Sequence, residues 1–403
     1  MFIEGSRTVS QWLDIGGSGY EQNGIPEGSL IDQLVYAALF ASGCIILRNR
    51  KIEWKIFFNK NKYIWLFFVV GAISIFWSDF PFVAFKRWIK AIGILVLVLI
   101  ILTEERPYEA ISLILRRLSF LFLPLSVLFV KYYPDLGREY HQYMGSQMFT
   151  GVATQKNALG ALCLISGIYY SWNLIVEKKF IREENKLHFS IYIIILPMIL
   201  WLLYISDSAT SMVCLIVAIG IFMIAKLNIT KRSPNRILSI FLFLVGFFIF
   251  LEFTFDFTDF IITAFGRRPD LTTRVPMWED LLSKVKNPLI GFGYESFWLG
   301  DRRIYMESTW GIKHQAHNGY LDMYLNMGII GILFIISWIG MGLKNVSQHL
   351  KTNFSAAVLR FSFIVVIAIY NWTEATFYGN NNMWLLFFFG VMNNVKIREH
   401  AIH

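Results

Sequence analysis

Long apolar segments alternate with shorter polar segments along almost the whole chain. Several of the apolar runs reach about 18 residues or more, the length that an α-helix needs to cross a bilayer. The pattern therefore predicts an all-α polytopic membrane protein with about 11 transmembrane helices. The predicted spans are residues 30–48, 62–78, 84–102, 111–130, 157–176, 189–206, 208–226, 237–254, 319–343, 355–376 and 382–395.

The loops between these spans differ in charge in an alternating way. Every second loop is rich in lysine and arginine, and such loops are typically cytoplasmic. The basic loops lie at residues 48–62, 106–117, 178–186, 226–236, 344–351 and 396–398. This pattern predicts a cytoplasmic C-terminus and an extracytoplasmic N-terminus, and it assigns residues 255–318 to the outer face. That segment holds eight Lys and Arg, but long loops cross the membrane despite their charge.

The predicted spans divide the chain into four parts. Residues 1–29 carry no span and form an extracytoplasmic segment, for which we expect a truncated first helix. Residues 30–254 hold the first eight spans, residues 255–318 form one large periplasmic loop with the active-site residues, and residues 319–403 hold the last three spans and a cytoplasmic tail.

Composition supports a membrane protein and narrows the possible chemistry. The chain is 56% hydrophobic and 16% charged, with a formal net charge of +9. In this setting the positive charge indicates positive-inside loops, and no nucleic-acid partner is expected. Each of Cys44, Cys163 and Cys214 lies in an apolar run, which favours buried small hydrophobic side chains. No metal or nucleotide motif is present, so no cofactor is expected.

The 255–318 loop carries most of the candidate chemistry. Arg267 and Arg268 make its first part basic. The pattern of residues 273–285 in this loop predicts a short amphipathic helix. Arg274 and Trp278 are four residues apart, so they share a face of that helix. Arginine suits a phosphate and tryptophan suits the face of a sugar.

The loop closes on a pair of histidines. His314 and His317 are three residues apart, and His317-Asn318 directly precede a span. A neutral imidazole there can accept a proton from a sugar hydroxyl. A two-histidine metal site and a purely structural histidine are the alternatives.

Further polar residues lie at the outer ends of other predicted spans. Lys86, Arg87 and Lys90 favour an anionic headgroup, with snorkelling to ordinary lipid phosphates as the alternative. Lys156 opens a helix that Thr154 or Asn157 could cap, which suits a phosphate or a plain helix cap.

Two more features complete the outer face. The hydroxyl-rich turn at residues 206–211 suits either a sugar site or a tight hairpin. Glu374 suits pairing with Arg274 or another cation, or an interfacial position. Because the cations cluster at one depth, they predict chemistry on a phosphorylated amphiphile at the outer leaflet instead of a path through the membrane.

Several of these segments, in this order, resemble the O-antigen ligase/polymerase superfamily. The resemblance rests on Arg274-x3-Trp278, residues 287–293 (NPLIGFG), residues 316–321 (AHNGYL) and residues 328–331 (GIIG). Residues 155–160, 208–211 and 5–12 are similar to its exopolysaccharide polymerase branch.

The resemblance implies a metal-independent glycosyltransferase of the GT-C-like membrane fold. Such proteins transfer a glycan from an undecaprenyl-diphosphate carrier at the periplasmic face. By this analogy His317 would assist the acceptor hydroxyl, and Arg274, Lys156 and Arg87 would hold the diphosphate. Members of the family often carry an arginine where Asp207 stands, so no phosphate role is transferred to Asp207.

The sequence therefore predicts a polysaccharide polymerase in the bacterial inner membrane. His317 and Arg274 are the expected catalytic residues. The expected substrate-binding residues are Arg87, Lys90, Lys156, Trp278, His314, Asn318 and Glu374. The expected partners are an undecaprenyl-diphosphate-linked oligosaccharide, a glycan acceptor, the bilayer and other polysaccharide-assembly proteins. An O-antigen ligase, a polysaccharide exporter or lipid flippase, and a non-catalytic scaffold are the alternatives.

Overall fold

The computed structural model describes residues 7–13, 28–50, 52–140, 147–177, 186–255, 271–311, 314–377, 379 and 381–393. Within these ranges, each of the eleven predicted spans falls on a helix. The helices up to the middle of the chain are α1 (Val9–Leu13), α2 (Leu30–Asn49), α3 (Trp54–Lys60), α4 (Lys62–Ser74), α5 (Pro81–Leu102), α6 (Pro107–Tyr132), α7 (Pro134–Gly137) and α8 (Lys156–Trp172). A 3₁₀ turn (Ile75–Trp77) extends α4, and a π-helical stretch (Asn173–Glu177) extends α8.

The second half of the chain continues the same architecture. Its helices are α9 (Lys186–Ile205), α10 (Ala209–Lys226), α11 (Asn228–Arg232), α12 (Arg236–Phe255), α13 (Leu271–Ser283), α14 (Gly300–Trp310), α15 (Gly319–His349), α16 (Phe354–Tyr370) and α17 (Asn382–Val391). A two-stranded antiparallel sheet pairs β1 (Arg138–Tyr140) with β2 (Gln147–Phe149), Glu139 opposite Met148. The pattern did not predict this hairpin or helix α14.

Five of the described helices are long and apolar enough to cross a membrane by length and composition alone: Leu30–Asn49, Pro107–Tyr132, Lys156–Glu177, Ala209–Lys226 and Gly319–His349. Large apolar side chains also point outward from the bundle, such as Phe76, Leu200 and Ile216. Extensive exposed apolar surface is rare on water-soluble monomers but suits a lipid environment. The chain is a mostly helical, multi-pass membrane protein.

Aromatic packing forms the centre of the bundle. Helix α15 packs on α16, α17 and α4, and α10 packs between α8 and α16. Trp338 of α15 contacts the rings of Phe67, Trp384 and Phe388, all of them buried. Cys163 and Cys214 are buried as predicted, whereas the prediction for Cys44 was wrong, because it lies on an exposed face of α2.

Polar contacts divide the bundle into two ends. At one end Lys156 contacts Asp207, Arg302 contacts Asp79 and Asn157 contacts Glu374. We call this the His317 end. At the other, Arg50 pairs with Glu104 and the Asn393 amide donates to Asn61. We call this the Asn393 end. The grouping matches the two sets of loops that the charge pattern separates.

Residues 290–298 pack against a break in helix α15 and are buried or half-buried, whereas residues 287–289 are exposed. Helix α15 breaks at Gly328, whose φ of 62° and ψ of −157° are non-helical. The loop fills the break: Phe292 and Gly293 donate to the carbonyls of Leu325 and Asn326, and Ile329 donates to Pro288. Interrupted helical backbone is tolerated at membrane depth only where protein groups satisfy it, as they do here.

Candidate active site

His317 lies in a short non-helical segment that leads into α15. Its backbone has a φ of 50°, which is uncommon for a residue with a side chain. The imidazole is about one third exposed, and its Nδ1 lies 3.7 Å from Glu374 Oε2 and 3.5 Å from Gln315 Nε2. The ring is therefore oriented by one carboxylate and one amide while part of it stays accessible.

Asp322 and Trp278 hold the backbone of Ala316, the residue before His317. The amide of Ala316 donates to both oxygens of Asp322, at 3.2 and 3.1 Å, and its carbonyl accepts from Trp278 Nε1 at 2.9 Å. Asp322 is fully buried and also accepts from Trp298 Nε1 at 2.7 Å. Buried polar groups with all partners in place restrict conformation, so this network fixes where the imidazole can point.

Glu374 joins the histidine to a third element. It is buried just beyond the end of α16, and its Oε1 accepts from Asn157 Nδ2 at 2.7 Å. Its backbone carbonyl accepts from the amide of Gly319 at 3.0 Å. The expected pairing of Glu374 with Arg274 was wrong, since the carboxylate faces His317 and Asn157 instead.

Arg274 and Trp278 face the same region from α13, as their spacing predicts. Arg274 Nη1 donates to the carbonyl of Thr373 at 3.0 Å, next to Glu374. The hydroxyl of Thr373 lies 2.6 Å from that of Thr210, at the hairpin between α9 and α10. Arg274 therefore contacts the residue that precedes Glu374 in the sequence, which brings the guanidinium close to the His317–Glu374 pair.

Lys156 and the start of α8 form one rim of this region. Lys156 Nζ lies 3.5 Å from Asp207, and both side chains are substantially exposed. The helix-cap prediction for Thr154 or Asn157 was wrong, because Gln155 is the N-cap residue and makes no side-chain cap bond. Asn157 uses its amide for Glu374.

The hydroxyls of the 206–211 turn are used for packing. Ser208 Oγ donates to Ser211 Oγ at 2.9 Å, and Gly160 of α8 lies against both side chains. Ser206, Ser208 and Ser211 are all buried. This arrangement favours the tight-hairpin interpretation over a sugar-lining one.

The cations of α5 are located in a separate patch at the same end. Arg87 donates to the backbone carbonyl of Glu295, and Lys90 lies 5.5 Å from the ring centre of Tyr36. The Glu295 side chain is half-buried, and its carboxylate accepts from the amide of Gly379 at 2.8 Å. Burial raises the pKa of Glu295, while the Arg87 charge and the Gly379 hydrogen bond act in the opposite direction.

Two other predicted site residues have different surroundings. Asn318 is the N-cap of α15, and its Oδ1 accepts from the amides of Tyr320 and Leu321, each at 3.0 Å. His314 is exposed. Since residues 314–318 are not helical, the three-residue spacing does not by itself bring His314 to His317. Arg267 and Arg268 lie outside the described residues.

A cavity of about 180 Å³ opens beside Glu374. Its polar lining consists mainly of neutral groups: Thr154, Gln155, Asn157, Gln315, Thr376, Asn381 and Asn382. Amides and hydroxyls with one carboxylate suit a hydroxyl-rich ligand. Among the described residues, no three His, Cys, Asp or Glu side chains converge as a metal site would need.

Sequence reasoning missed two residues of this site. The pairing of Asn157 with Glu374 joins residues more than 200 positions apart, and no local pattern indicates it. Asp322 did leave a signal, because an acid within the first turn of an apolar helix needs partners when it is buried.

The chain is similar to proteins of bacterial glycan assembly. Residues 193–336 match the model of the O-antigen ligase family. Over 298 residues the chain is 25% identical to the exopolysaccharide production protein ExoQ of Rhizobium meliloti (strain 1021). The aligned region covers 70% of this chain, and it spans 64% of the length of that relative.

The predicted resemblance to O-antigen ligase/polymerase-like proteins is thus confirmed. The part matched by the family model includes Arg274, Trp278, His317 and Asp322. Asn157 and Glu374 lie outside it, and the fold brings them to the same place.

Proposed function

We propose that this protein is a polysaccharide polymerase, a glycosyltransferase that joins glycan repeat units carried on undecaprenyl diphosphate. The His317–Glu374 pair carries the proposal, together with Arg274, which donates to the carbonyl of Thr373, the residue before Glu374. The similarity to O-antigen ligase and to an exopolysaccharide production protein supports it. We place the His317 end at the periplasmic face of the bacterial inner membrane and the C-terminus in the cytoplasm.

The proposed reaction is a single displacement. An acceptor hydroxyl gives its proton to His317 Nε2 while its oxygen attacks the anomeric carbon of the donor sugar. Nδ1 is the nitrogen that faces Glu374, so the carboxylate favours the tautomer with a free Nε2. One C–O bond forms as the bond to the diphosphate breaks, which inverts the anomeric carbon.

Positive groups at the His317 end stabilise the leaving diphosphate. It departs with the electron pair of the broken bond, and fixed cations balance charge that develops there. Arg274 is the nearest to the histidine in the contact network, with Lys156 at the rim. Arg87 and Lys90 form the more distant patch. We propose that these cations stabilise the leaving diphosphate without a metal ion.

Neutral groups beside Glu374 suit the sugar rings. Trp278 offers an aromatic face, although its Nε1 is used to hold Ala316. Asn318 keeps its amide nitrogen for a ligand while its oxygen caps α15. His314 is exposed near the same segment, and its role in binding stays a prediction.

The first experiment compares glycans by chain length. A strain that lacks the gene is complemented with the wild-type protein or with His317→Ala at matched membrane abundance. We expect single repeat units in the deletion strain, a full ladder with wild type and single units with the variant. A normal ladder with His317→Ala would contradict the site assignment.

The same gel separates the alternative functions. Long chains that stay on their lipid carrier would indicate a ligase, which the matched family model also favours. Finished polymer retained inside the cell would indicate an exporter or flippase. A scaffold would tolerate loss of His317.

A further inference from the structure

A large cavity at the Asn393 end has no part in the proposed reaction. It measures about 1050 Å³ and lies between the α5–α6 connection, α6, the end of α8 and the start of α16. Its mouth includes the exposed residues Glu104, Glu105 and Arg106, and deeper lining residues include Arg116, Tyr169 and Asn173. The cavity therefore runs from the surface into the bundle.

Arg116 is the unusual group in this cavity. It lies nine residues after the first residue of α6, which is about 14 Å along the helix axis. Within the described residues it makes no hydrogen bond or ion pair, although it lies within electrostatic reach of the Tyr169 and Tyr170 phenols. A half-buried cation near the end of a membrane helix is costly unless an anionic or polar group pairs with it.

The cavity also contains a hydrogen-bond acceptor that has no donor, the side-chain oxygen of Asn173. Asn173 is 4% exposed and begins the π-helical stretch Asn173–Glu177. Its Oδ1 is buried without a hydrogen-bond partner, so it can accept from a ligand. Single π-helical turns within α-helices occur frequently at functional sites. A buried acceptor left without a donor costs free energy unless something fills it.

The other charges around the cavity are already paired or lie in water. Arg50 is paired with Glu104, Arg106 Nη1 lies 3.5 Å from Glu109, and Ser355 Oγ donates to Glu177. Glu105 remains exposed at the mouth. The deep part of the cavity is thus positive through Arg116, and the mouth carries a carboxylate.

We propose that this cavity binds the headgroup of a phospholipid from the adjacent leaflet, with the phosphate at Arg116 and an ammonium donor at Asn173. Phosphatidylethanolamine carries both groups that the cavity lacks, a phosphate for the Arg116 cation and N–H donors for the Asn173 oxygen. Tyr108, Leu113, Ile114 and Trp172 give the lining an apolar part that suits the glycerol and first acyl carbons.

The test uses the purified full-length protein in detergent. Native mass spectrometry counts phosphatidylethanolamine retained by wild type, Arg116→Ala and Arg117→Ala. Arg117 is the matched control, because it is the next residue, carries the same charge, is exposed and does not line the cavity. We expect binding about tenfold weaker for Arg116→Ala and unchanged for Arg117→Ala, since a hydrogen-bonded charge is lost only in the first.

A second pair of measurements tests the Asn173 contact. Phosphatidylcholine has the same phosphate but no N–H donor, so wild type should prefer phosphatidylethanolamine. Asn173→Ala should remove that preference while it keeps the dependence on Arg116. This variant also keeps the proposal testable if Arg116→Ala does not fold.

Three results would overturn the proposal. Equal losses for Arg116→Ala and Arg117→Ala would indicate general surface charge. Unchanged binding in Arg116→Ala would remove the phosphate contact. Arg116-dependent binding of inorganic phosphate with no binding of either lipid would mean that the source is soluble phosphate instead of a lipid.

Discussion

At the scale of single residues, the central feature is a histidine oriented by a buried carboxylate. Glu374 is 7% exposed, and its two oxygens face different partners, Asn157 and His317. A buried carboxylate is expensive unless it is hydrogen-bonded or paired. Because both partners belong to other elements, the position of Glu374 determines the orientation of His317.

The carboxylate can be tested without a large change in shape. Glu374→Gln should keep the contact with Asn157 but remove the charge that selects the His317 tautomer. We expect transfer to fall roughly 100-fold, the low end of what a positioned base contributes. The measurement is the initial rate of glycan transfer by purified protein.

Glu279→Gln is the matched control for this variant. It makes the same change on α13 at an exposed position, and we expect the wild-type rate. Equal rates for Glu374→Gln and Glu279→Gln would show that the carboxylate does not act through His317.

Residue types at this site were predictable from the sequence, but their partners were not. Arg274 and Trp278 share a helix face, as the four-residue spacing predicts. The partners of Glu374 come from the starts of two other helices, and no periodicity of one segment encodes such a meeting. Asn157 was expected to cap its own helix, yet the tertiary partner Glu374 takes its amide.

At the scale of elements, the break in α15 and the loop at residues 287–298 form one unit. Gly291 and Gly328 both have positive φ, and their Cα atoms lie directly against backbone of the other segment. The amides and carbonyls released by the break are bonded by the loop. The loop in turn leads to Trp298, which donates to Asp322 and so supports the His317 segment.

The close packing of this unit should make Gly328 important for the stability of the protein. A Cβ at Gly328 would overlap the Leu289 carbonyl, and the backbone conformation is open almost only to glycine. Gly328→Ala should therefore destabilise the protein by at least about 2 kcal/mol. Thermal unfolding in detergent measures the effect.

Gly340→Ala provides the comparison on the same helix. Nothing lies within 4 Å of a Cβ at Gly340, so the substitution should be neutral or stabilising by up to about 1 kcal/mol. Similar unfolding temperatures for the two variants would mean that the close packing at Gly328 does not hold in the protein.

Apolar length predicted the helices well, because spanning segments are long and continuous. The break at Gly328 and helix α14 were harder to predict from the sequence pattern. The segment around Gly328 is apolar throughout, so its hydropathy alone predicts one unbroken helix. Residues 300–310 are mostly polar, and their helix depends on packing of Arg303 and Met306 against the rest of the loop.

At the scale of the whole molecule, the two ends of the bundle have separate chemistry. The His317 end gathers a histidine, a buried carboxylate, arginines and a small polar cavity. The Asn393 end holds the larger cavity with Arg116. At this end Arg360, fully buried in α16, also donates to the carbonyls of Gly390 and Met392 at the end of α17, where a cation is favoured.

The charge pattern of the loops anticipated this division. Loops predicted to share a side contact one another within the described residues, as Arg302 does with Asp79 and Asn393 does with Asn61. Lys51, Lys178, Lys179, Arg182, Lys396 and Arg398, which also support the predicted orientation, lie outside the described residues. The count of eleven spans and the orientation stay proposals.

Reconstituted glycan transfer is the most direct test of the central claim. Purified protein in liposomes receives the lipid-diphosphate oligosaccharide isolated from the deletion strain, and product length and released carrier diphosphate are measured together. We predict longer glycans and equal release of carrier for wild type, with His317→Ala and Arg274→Ala at least about 100-fold slower. Full-rate transfer by His317→Ala, or movement of the oligosaccharide across the membrane without a new bond, would contradict the account.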